Sequence, residues 1–253
     1  MPIDTTAFEL QTPDGPERTV LARPTGIGTW PGIVFLMDGV GLRPSLIGMV
    51  ERLAGLGYVV AMPDLFHRVP RLEPKALAEL LMNPATRTQW RETYYASAND
   101  TAHLRADVGA VLEHLAGRSD VVNGARGVTG YCMGGNFALR AAGLFPEAFA
   151  AAASFHGANL ANDTPESPHL LAPKLKAEVY VAGAVEDSSF PDAMKARLEQ
   201  ALSEAHVTHR IETYEGARHG FAVPDSPVFD AGAAERHWAN LDALFSRRLK
   251  RAS

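Results

Sequence analysis

The sequence predicts an α/β fold with a mostly parallel sheet covered by helices on both faces. Short, unbroken apolar runs, typical of strands buried on both faces, alternate with segments whose apolar residues recur at helical spacing. The 253 residues suit one large domain, and no linker rich in proline, glycine or serine divides them. We therefore expect a single α/β domain over residues 1–253.

Each element follows from a local pattern. Two alternating segments around Asp14 and Gly15 predict a hairpin, the later apolar runs predict buried strands, and stripes such as Leu46, Val50 and Leu53 predict helices. The predicted order is a hairpin at 7–24, a strand at 33–37, a helix at 46–57, strands at 58–62 and 127–131 on either side of a helix at 104–117, a helix at 133–144, strands at 149–155 and 178–182, a helix at 194–202, a strand at 209–214 and a closing helix at 234–249.

Residues 68–98 interrupt the alternation of strands and helices. They combine prolines and aromatic residues with many charges. We expect this segment, about 68–98, to be an insertion or cap packed over the sheet.

Composition excludes several classes of function. A net charge of −5 argues against a nucleic-acid partner or an anionic membrane surface. A single cysteine excludes an internal disulfide framework and a cysteine-rich zinc site, and it fits a reducing compartment. With no signal-peptide pattern at the N-terminus and no apolar stretch long enough to span a bilayer, we expect a cytoplasmic protein, a monomer or a small homo-oligomer.

That cysteine, Cys132, lies in the stretch Gly130-Tyr131-Cys132-Met133-Gly134, between a predicted strand and a predicted helix. A nucleophile on such a sharp turn needs neighbours that are nearly free of side chain. The helix that follows directs its N-terminal N–H groups at the sulfur and, through Met133, at a developing oxyanion. Free cysteines are more often small buried hydrophobes, but this context favours a nucleophile. A dinucleotide-binding turn is disfavoured because the G-x-G-x-x-G spacing is absent.

A thiol nucleophile needs a base, and the base needs a group to orient it. Glu186 and Asp187 follow the predicted strand at 178–182, and His219 follows the strand at 209–214 in a Gly-rich loop. Both positions lie beyond the carboxyl ends of strands, where open α/β sheets build their sites. His156, which also follows a strand, is the competing histidine and a candidate pocket residue. A helix N-cap is the alternative role for either carboxylate.

With Cys132, Asp187 and His219 in place, the chain resembles the dienelactone hydrolases of the α/β-hydrolase superfamily. The segments that carry this resemblance are FLMDGVGLRPSLIGMVERLAGLGYVVAMPDLFHR, GYCMGGNFAL, EDSSFP and YEGARHGFAVPD, together with the closing helix, so it runs from about residue 30 to 249. The resemblance implies a cysteine hydrolase that opens an enol-lactone ring to give maleylacetate in aromatic degradation, without a cofactor. It also favours Asp187 over Glu186 as the acid.

The resemblance implies roles for further residues. Asp38 stands at the family's acidic strand-end position, linked to thiol activation, although it is one methylene shorter than the usual glutamate; hydrogen bonding to loop amides is its alternative role. Gly39 would supply the second oxyanion N–H beside that of Met133. Arg91 and Tyr95 match a substrate-binding arginine and a pocket tyrosine, and a solvated helix charge is the alternative for Arg91.

Val223 stands where a second arginine is expected, which weakens the match to dienelactone itself. The sequence therefore predicts a hydrolase of a lactone or another activated carboxylic ester, with a small-molecule substrate and no metal. A broad carboxylesterase or thioesterase on the same triad, and a catalytically silent binding protein, are the alternatives. A redox sensor is disfavoured because the chain has no second cysteine to resolve a sulfenic acid.

Overall fold

The computed structural model describes residues 1–250, so the last three residues of the predicted domain, 251–253, lie outside the described part. The chain divides into two compact units, Met1–Val122 and Asn123–Ser253. The prediction of one domain with a cap segment stays a prediction. No helix within residues 1–250 combines the length and apolar character that crossing a membrane requires.

The first unit contains four strands in the spatial order β1-β2-β4-β3. Strands β1 and β2 form the predicted hairpin, β2 pairs with β4 antiparallel, and β3 pairs with β4 in parallel. All five residues of β3 and all five of β4 are buried, which is why their sequences read as unbroken apolar runs. The strands are β1 (Ile3–Thr12), β2 (Gly15–Pro24), β3 (Gly32–Leu36) and β4 (Val59–Pro63).

The helices of the first unit include the two that the apolar stripes predict, α1 and α5. Helix α5 begins at an Asp100 side chain that accepts hydrogen bonds from the N–H groups of Ala102 and His103. The predicted insertion is helical, with three short helices and a π-helical turn, Arg91–Tyr95, that its proline-rich sequence did not predict. The helices are α1 (Pro44–Gly55), α2 (Pro74–Met82), α3 (Arg87–Trp90), α4 (Ala96–Asn99) and α5 (Thr101–Ala116).

The second unit is a four-stranded parallel sheet in the order β5-β6-β7-β8. The predicted strands are confirmed, with β7 two residues longer than expected; a short 3-10 helix, Pro168–Lys174, was not predicted. Within the units, the strand pairs of the described residues 1–250 are four parallel and two antiparallel, as expected for a mostly parallel α/β fold. The elements are β5 (Arg126–Tyr131), α6 (Met133–Leu144), β6 (Phe149–Phe155), β7 (Glu178–Ala184), α7 (Asp192–Glu204), β8 (His209–Tyr214) and α8 (Ala231–Leu249).

Candidate active site

Cys132 occupies a sharp turn between β5 and α6. Its φ of 54° and ψ of −116° lie in a region that L-residues rarely adopt. Gly130 is required by the turn, because a Cβ there would lie 1.9 Å from the carbonyl oxygen of Gly134. Gly135 is equally constrained, since its Cβ would lie 2.5 Å from Ser154 Oγ. The glycines around the cysteine therefore permit the strained backbone that exposes Sγ at the start of a helix.

Met133 is the first residue of α6, so its N–H belongs to the first turn, where N–H groups have no partner within the helix. An anion near the sulfur would meet this N–H and the positive end of the helix dipole. The position of Met133 fits the predicted oxyanion donor, and its role stays a prediction.

The structure brings Cys132, His219 and Asp187 together in one hydrogen-bonded chain. His219 Nε2 lies 3.1 Å from Cys132 Sγ, and His219 Nδ1 lies 2.7 Å from Asp187 Oδ2. The other Asp187 oxygen accepts the Ser189 N–H at 2.8 Å, so neither carboxylate oxygen lacks a donor. Glu186, the other candidate acid, is exposed to solvent.

The electrostatics of this chain favour a charged imidazole. Burial lowers the pKa of His219, but its electrostatic interaction with Cys132 and its hydrogen bonds to Asp187 and Cys132 outweigh it and raise that pKa to about 10. Burial raises the pKa of Asp187, but the hydrogen bond and charge of His219 and the Ser189 N–H outweigh it, so the net shift is downward. A charged imidazole beside the sulfur is the arrangement that a cysteine nucleophile requires.

His156, the competing histidine, contacts the backbone of the nucleophile rather than its sulfur. Its Nδ1 accepts the Cys132 N–H at 3.2 Å, so the ring proton resides on Nε2. Burial and the charge of His219 lower the pKa of His156 well below its usual value, which keeps the ring neutral. Its ring packs edge-on against that of His219 at 5.2 Å. The structure thus gives His156 a place behind the turn, as a support for Cys132 and His219.

Asp38 and Gly39, in the first unit, lie in the loop between β3 and α1. Arg43 holds the Asp38 carboxylate through two hydrogen bonds, Nη1 to Oδ1 at 2.7 Å and Nη2 to Oδ2 at 2.8 Å, and the Val40 N–H donates to Oδ1 at 2.9 Å. The pair is almost wholly buried, with 6% of the Arg43 side chain and 9% of the Asp38 side chain exposed. These contacts match the alternative role of a strand-end carboxylate bonded to its loop. The thiol-activating role of Asp38 stays a prediction, and it requires the carboxylate to leave Arg43.

The loop holds the peptide that carries the Gly39 N–H in a fixed orientation. The Asp38 carbonyl oxygen accepts the Gly41 N–H at 3.1 Å, which orients the peptide group between Asp38 and Gly39. The Gly39 carbonyl oxygen accepts the Trp90 indole N–H at 3.0 Å. A Cβ on Gly39 would lie 2.8 Å from Trp90 Cζ2, so only glycine fits there without a shift. Such a preorganised N–H suits an oxyanion donor.

Arg91 and Tyr95, the predicted substrate-binding residues, are the first and last residues of the π-helical turn. Arg91 is exposed, and the half-buried Tyr95 ring packs against the buried Trp90 ring at 5.8 Å. Single π-helical turns are uncommon and recur at functional sites. The contact of Arg91 and Tyr95 with substrate stays a prediction.

The model of the dienelactone hydrolase family matches residues 18–249 of this sequence. The chain belongs to the dienelactone hydrolase family. A protein of Synechocystis sp. whose name assigns it as a carboxymethylenebutenolidase is 30% identical over 234 residues, covering 91% of each chain. The carboxymethylenebutenolidase of Rhodococcus opacus is 27% identical over 232 residues, covering 88% of this chain and 83% of its own.

The fold of this family member is that of solved relatives. The crystal structure of a Klebsiella pneumoniae subsp. pneumoniae protein described as a dienelactone hydrolase superimposes with a TM-score of 0.85 at 23% identity, covering 98% of this chain and 100% of its own. The predicted α/β-hydrolase fold is thereby confirmed. Family and relatives identify the chain as a carboxylic ester hydrolase.

Sequence reasoning missed the partners of the predicted residues in this dienelactone hydrolase family member. The Arg43 side chain on Asp38 and the Trp90 indole on Gly39 were not predicted, nor was the acceptor role of His156. Only the Asp38 partner had a local signal, an arginine five residues later in the same loop.

Proposed function

We propose that this protein hydrolyses a lactone or another activated carboxylic ester through a Cys132–His219–Asp187 triad and a thioester acyl-enzyme. The observation that carries the proposal is the unbroken chain from Sγ to Nε2 at 3.1 Å and from Nδ1 to Oδ2 at 2.7 Å, on a strained strand-to-helix turn. The order of these residues in the chain, nucleophile, acid and histidine, is that of α/β-hydrolases.

In the first half-reaction the Cys132 thiolate attacks the acyl carbon. The carbonyl π electrons move to oxygen, and the N–H groups of Met133 and Gly39 stabilise the resulting oxyanion. Collapse of the tetrahedral intermediate forms the thioester and breaks the acyl carbon–oxygen bond, and His219 gives its proton to the departing enolate or alkoxide oxygen. Asp187 keeps the imidazole in the required tautomer and orientation.

In the second half-reaction His219, now neutral, accepts a proton from water as the water oxygen attacks the thioester carbonyl. The thiolate leaves, the carboxylic acid product forms, and the imidazolium–thiolate pair is restored. No cofactor is needed for either step. A thiol nucleophile favours good leaving groups such as enols and phenols over amines.

Substrate selection is proposed to involve Arg91 and Tyr95. An exposed guanidinium at the π-helical turn provides a positive charge suited to a substrate carboxylate. With Val223 at the position where the family resemblance leads us to expect a second arginine, we propose that a single arginine binds that carboxylate, so the substrate range is broader than dienelactone. A broad carboxylesterase or thioesterase activity is the second candidate on the same triad.

Hydrolysis of dienelactone, an aryl acetate, the matching acetanilide and an acyl thioester, each with Cys132→Ala as the blank, tests the proposal. We expect turnover of at least one activated ester, its loss in Cys132→Ala, and recovery of an acylated Cys132 peptide from quenched wild type. If dienelactone is turned over far faster than the aryl acetate, the result supports a narrow preference for dienelactone. The reverse result supports a broad esterase.

Two results would refute the mechanism. One is comparable rates on the ester and the matching anilide, which a thiol nucleophile does not produce. The other is a folded wild type that turns over none of the panel and whose Cys132 reacts with iodoacetamide at pH 6 no faster than a free thiol. That second result would leave the silent binding protein as the better account.

A further inference from the structure

The first unit contains a buried polar cluster that the triad does not use. We call it the Glu17 cluster: Glu17 from β2, His67 and Arg68 from the segment after β4, and Asp107 from α5. His67 Nε2 lies 3.2 Å from Asp107 Oδ1. The Arg68 guanidinium donates to both Asp107 oxygens, at 2.9 Å to Oδ2 and 2.6 Å to Oδ1. The segment after β4 is thus bonded to α5 through the Asp107 carboxylate.

Glu17 is the unexplained member of this cluster. None of its surface is exposed, and neither carboxylate oxygen has a hydrogen-bond partner within residues 1–250. A buried carboxylate without donors carries a large desolvation cost, so it binds either a proton or a cation. Burial and the charge of Asp107 raise the pKa of Glu17 to about 10, and only Arg68 opposes them among its near neighbours.

The ligand atoms of the cluster have the arrangement of a metal site. One atom each from Glu17, His67 and Asp107 lie within 4.8 Å of one another. Metal bonds of about 2.0–2.2 Å place neighbouring ligand atoms about 3–3.5 Å apart, and the 3.2 Å between His67 Nε2 and Asp107 Oδ1 is such a separation. The Glu17 ligand oxygen lies within 4.8 Å of both other ligand atoms. One imidazole and two carboxylates form a donor set suited to first-row divalent cations.

We propose that the Glu17 cluster binds a divalent first-row metal ion, with Zn²⁺ as its representative, through a Glu17 carboxylate oxygen, His67 Nε2 and Asp107 Oδ1. The ion replaces the Arg68 Nη2 hydrogen bond at Asp107 Oδ1, while Arg68 Nη1 retains Oδ2 and orients that ligand. The Glu17 and Asp107 carboxylates offset the charge of the ion, and Asp14, which accepts from Arg68 Nε at 2.9 Å, offsets that of the guanidinium. The ion also supplies the partner that the Glu17 oxygens lack, and it ties β2 and α5 to the segment after β4.

One member of the cluster, His67, borders a cleft. His67 lines a cleft of about 430 Å³ in the first unit, together with Asp64, Arg18 and Arg71. Asp64, whose charge also acts on Glu17, lines the same cleft and interacts electrostatically with Arg18 and Arg71. In the proposed site the ion enters from this cleft, past His67.

Zinc titration of Cys132→Ala protein tests the site, because that substitution removes the competing thiol ligand of the triad. After treatment with a chelator, Zn²⁺ is added in competition with a fluorescent zinc chelator, and Tm is recorded in parallel. We expect one equivalent bound, and a Tm rise of about 5 °C at 100 times the Kd. Glu17→Gln or His67→Gln in the same background should weaken binding by at least about 100-fold and remove the Tm rise.

Glu113→Gln, which removes an exposed carboxylate from the same helix as Asp107, is the matched control and should bind Zn²⁺ as the parent does. Glutamine is nearly isosteric with a protonated glutamate, so Glu17→Gln should fold, and circular dichroism checks that it does. His67→Gln gives an independent readout should Glu17→Gln not fold. Absence of zinc binding in Cys132→Ala, or equal affinity in the ligand variants, would overturn the proposal and leave Glu17 as a buried carboxylic acid.

Discussion

Substitution of Gly39 by alanine tests whether its loop holds an oxyanion donor in place. The added Cβ would lie 2.8 Å from Trp90 Cζ2 and 3.2 Å from Leu81 Cδ2. Carbon atoms pack at about 3.5–4.0 Å, so the loop and the indole must separate by about 0.7 Å or more. The buried indole is tied to the Gly39 carbonyl oxygen at 3.0 Å, so the strain falls on the loop and displaces its N–H.

A displacement of that size removes the Gly39 N–H from the 2.7–3.1 Å range in which an oxyanion donor works. Loss of one donor costs about 3 kcal/mol of transition-state stabilisation, or about 100-fold in kcat. We therefore expect kcat on an aryl acetate to fall about 100-fold in Gly39→Ala, and overpacking to lower the free energy of unfolding by about 1–3 kcal/mol.

Gly48→Ala is the matched control, because it lies in α1 and nothing lies within 4 Å of its added Cβ. It should keep the wild-type kcat and gain up to about 1 kcal/mol of stability from helix propensity. The double variant Gly39→Ala/Trp90→Phe removes Cζ2 and should regain kcat relative to Gly39→Ala. A folded Gly39→Ala whose kcat stays within about threefold of wild type would refute the oxyanion role of this loop.

Three further predictions concern the buried charges. Asp187→Asn should lower kcat by about 10⁴-fold, because the amide favours the wrong tautomer of the His219 imidazole. In steady-state assays on an aryl ester, a decrease of less than tenfold contradicts the triad. In chelator-treated protein Glu17 binds its proton more tightly in the folded state, because its pKa is raised from 4.5 to about 10. The resulting stabilisation of the folded state is fully present below pH 4.5 and is lost as the pH rises toward 10. In urea unfolding from pH 6 to 9, the free energy of unfolding of wild type should fall by about 1.4 kcal/mol per pH unit relative to that of Glu17→Gln. The same pH dependence in both proteins would disprove this linkage. Arg43→Leu should lower the free energy of unfolding by about 3 kcal/mol, because it leaves the Asp38 carboxylate buried without its cation. The double variant Asp38→Asn/Arg43→Leu should recover part of that loss. Thermal unfolding compares the two variants, and a double variant no more stable than the single one contradicts the pairing.

Local patterns accounted for most of the fold. The hairpin turn at Asp14–Gly15 and the strands and helices around Cys132 were predictable because turn chemistry and apolar periodicity are read from neighbouring residues. The helices within 68–98 and the 3-10 helix Pro168–Lys174 were not, because prolines and charges obscure the period there. Family membership was predictable from the Gly-x-Cys-x-Gly turn with a later acid and histidine.

The alternation of elements and the strained turn at Cys132 are predictable because each is encoded within a few residues of chain, and the order of nucleophile, acid and histidine is read directly along it. Which side chains meet depends on how distant segments of the chain pack together. Asp187 rather than Glu186 faces His219 across 32 residues, and His219 reaches Cys132 across 87. Packing likewise left the Glu17 carboxylate buried without a hydrogen-bond partner among residues 1–250, which no local pattern signals, because desolvation depends on every element that packs around a group.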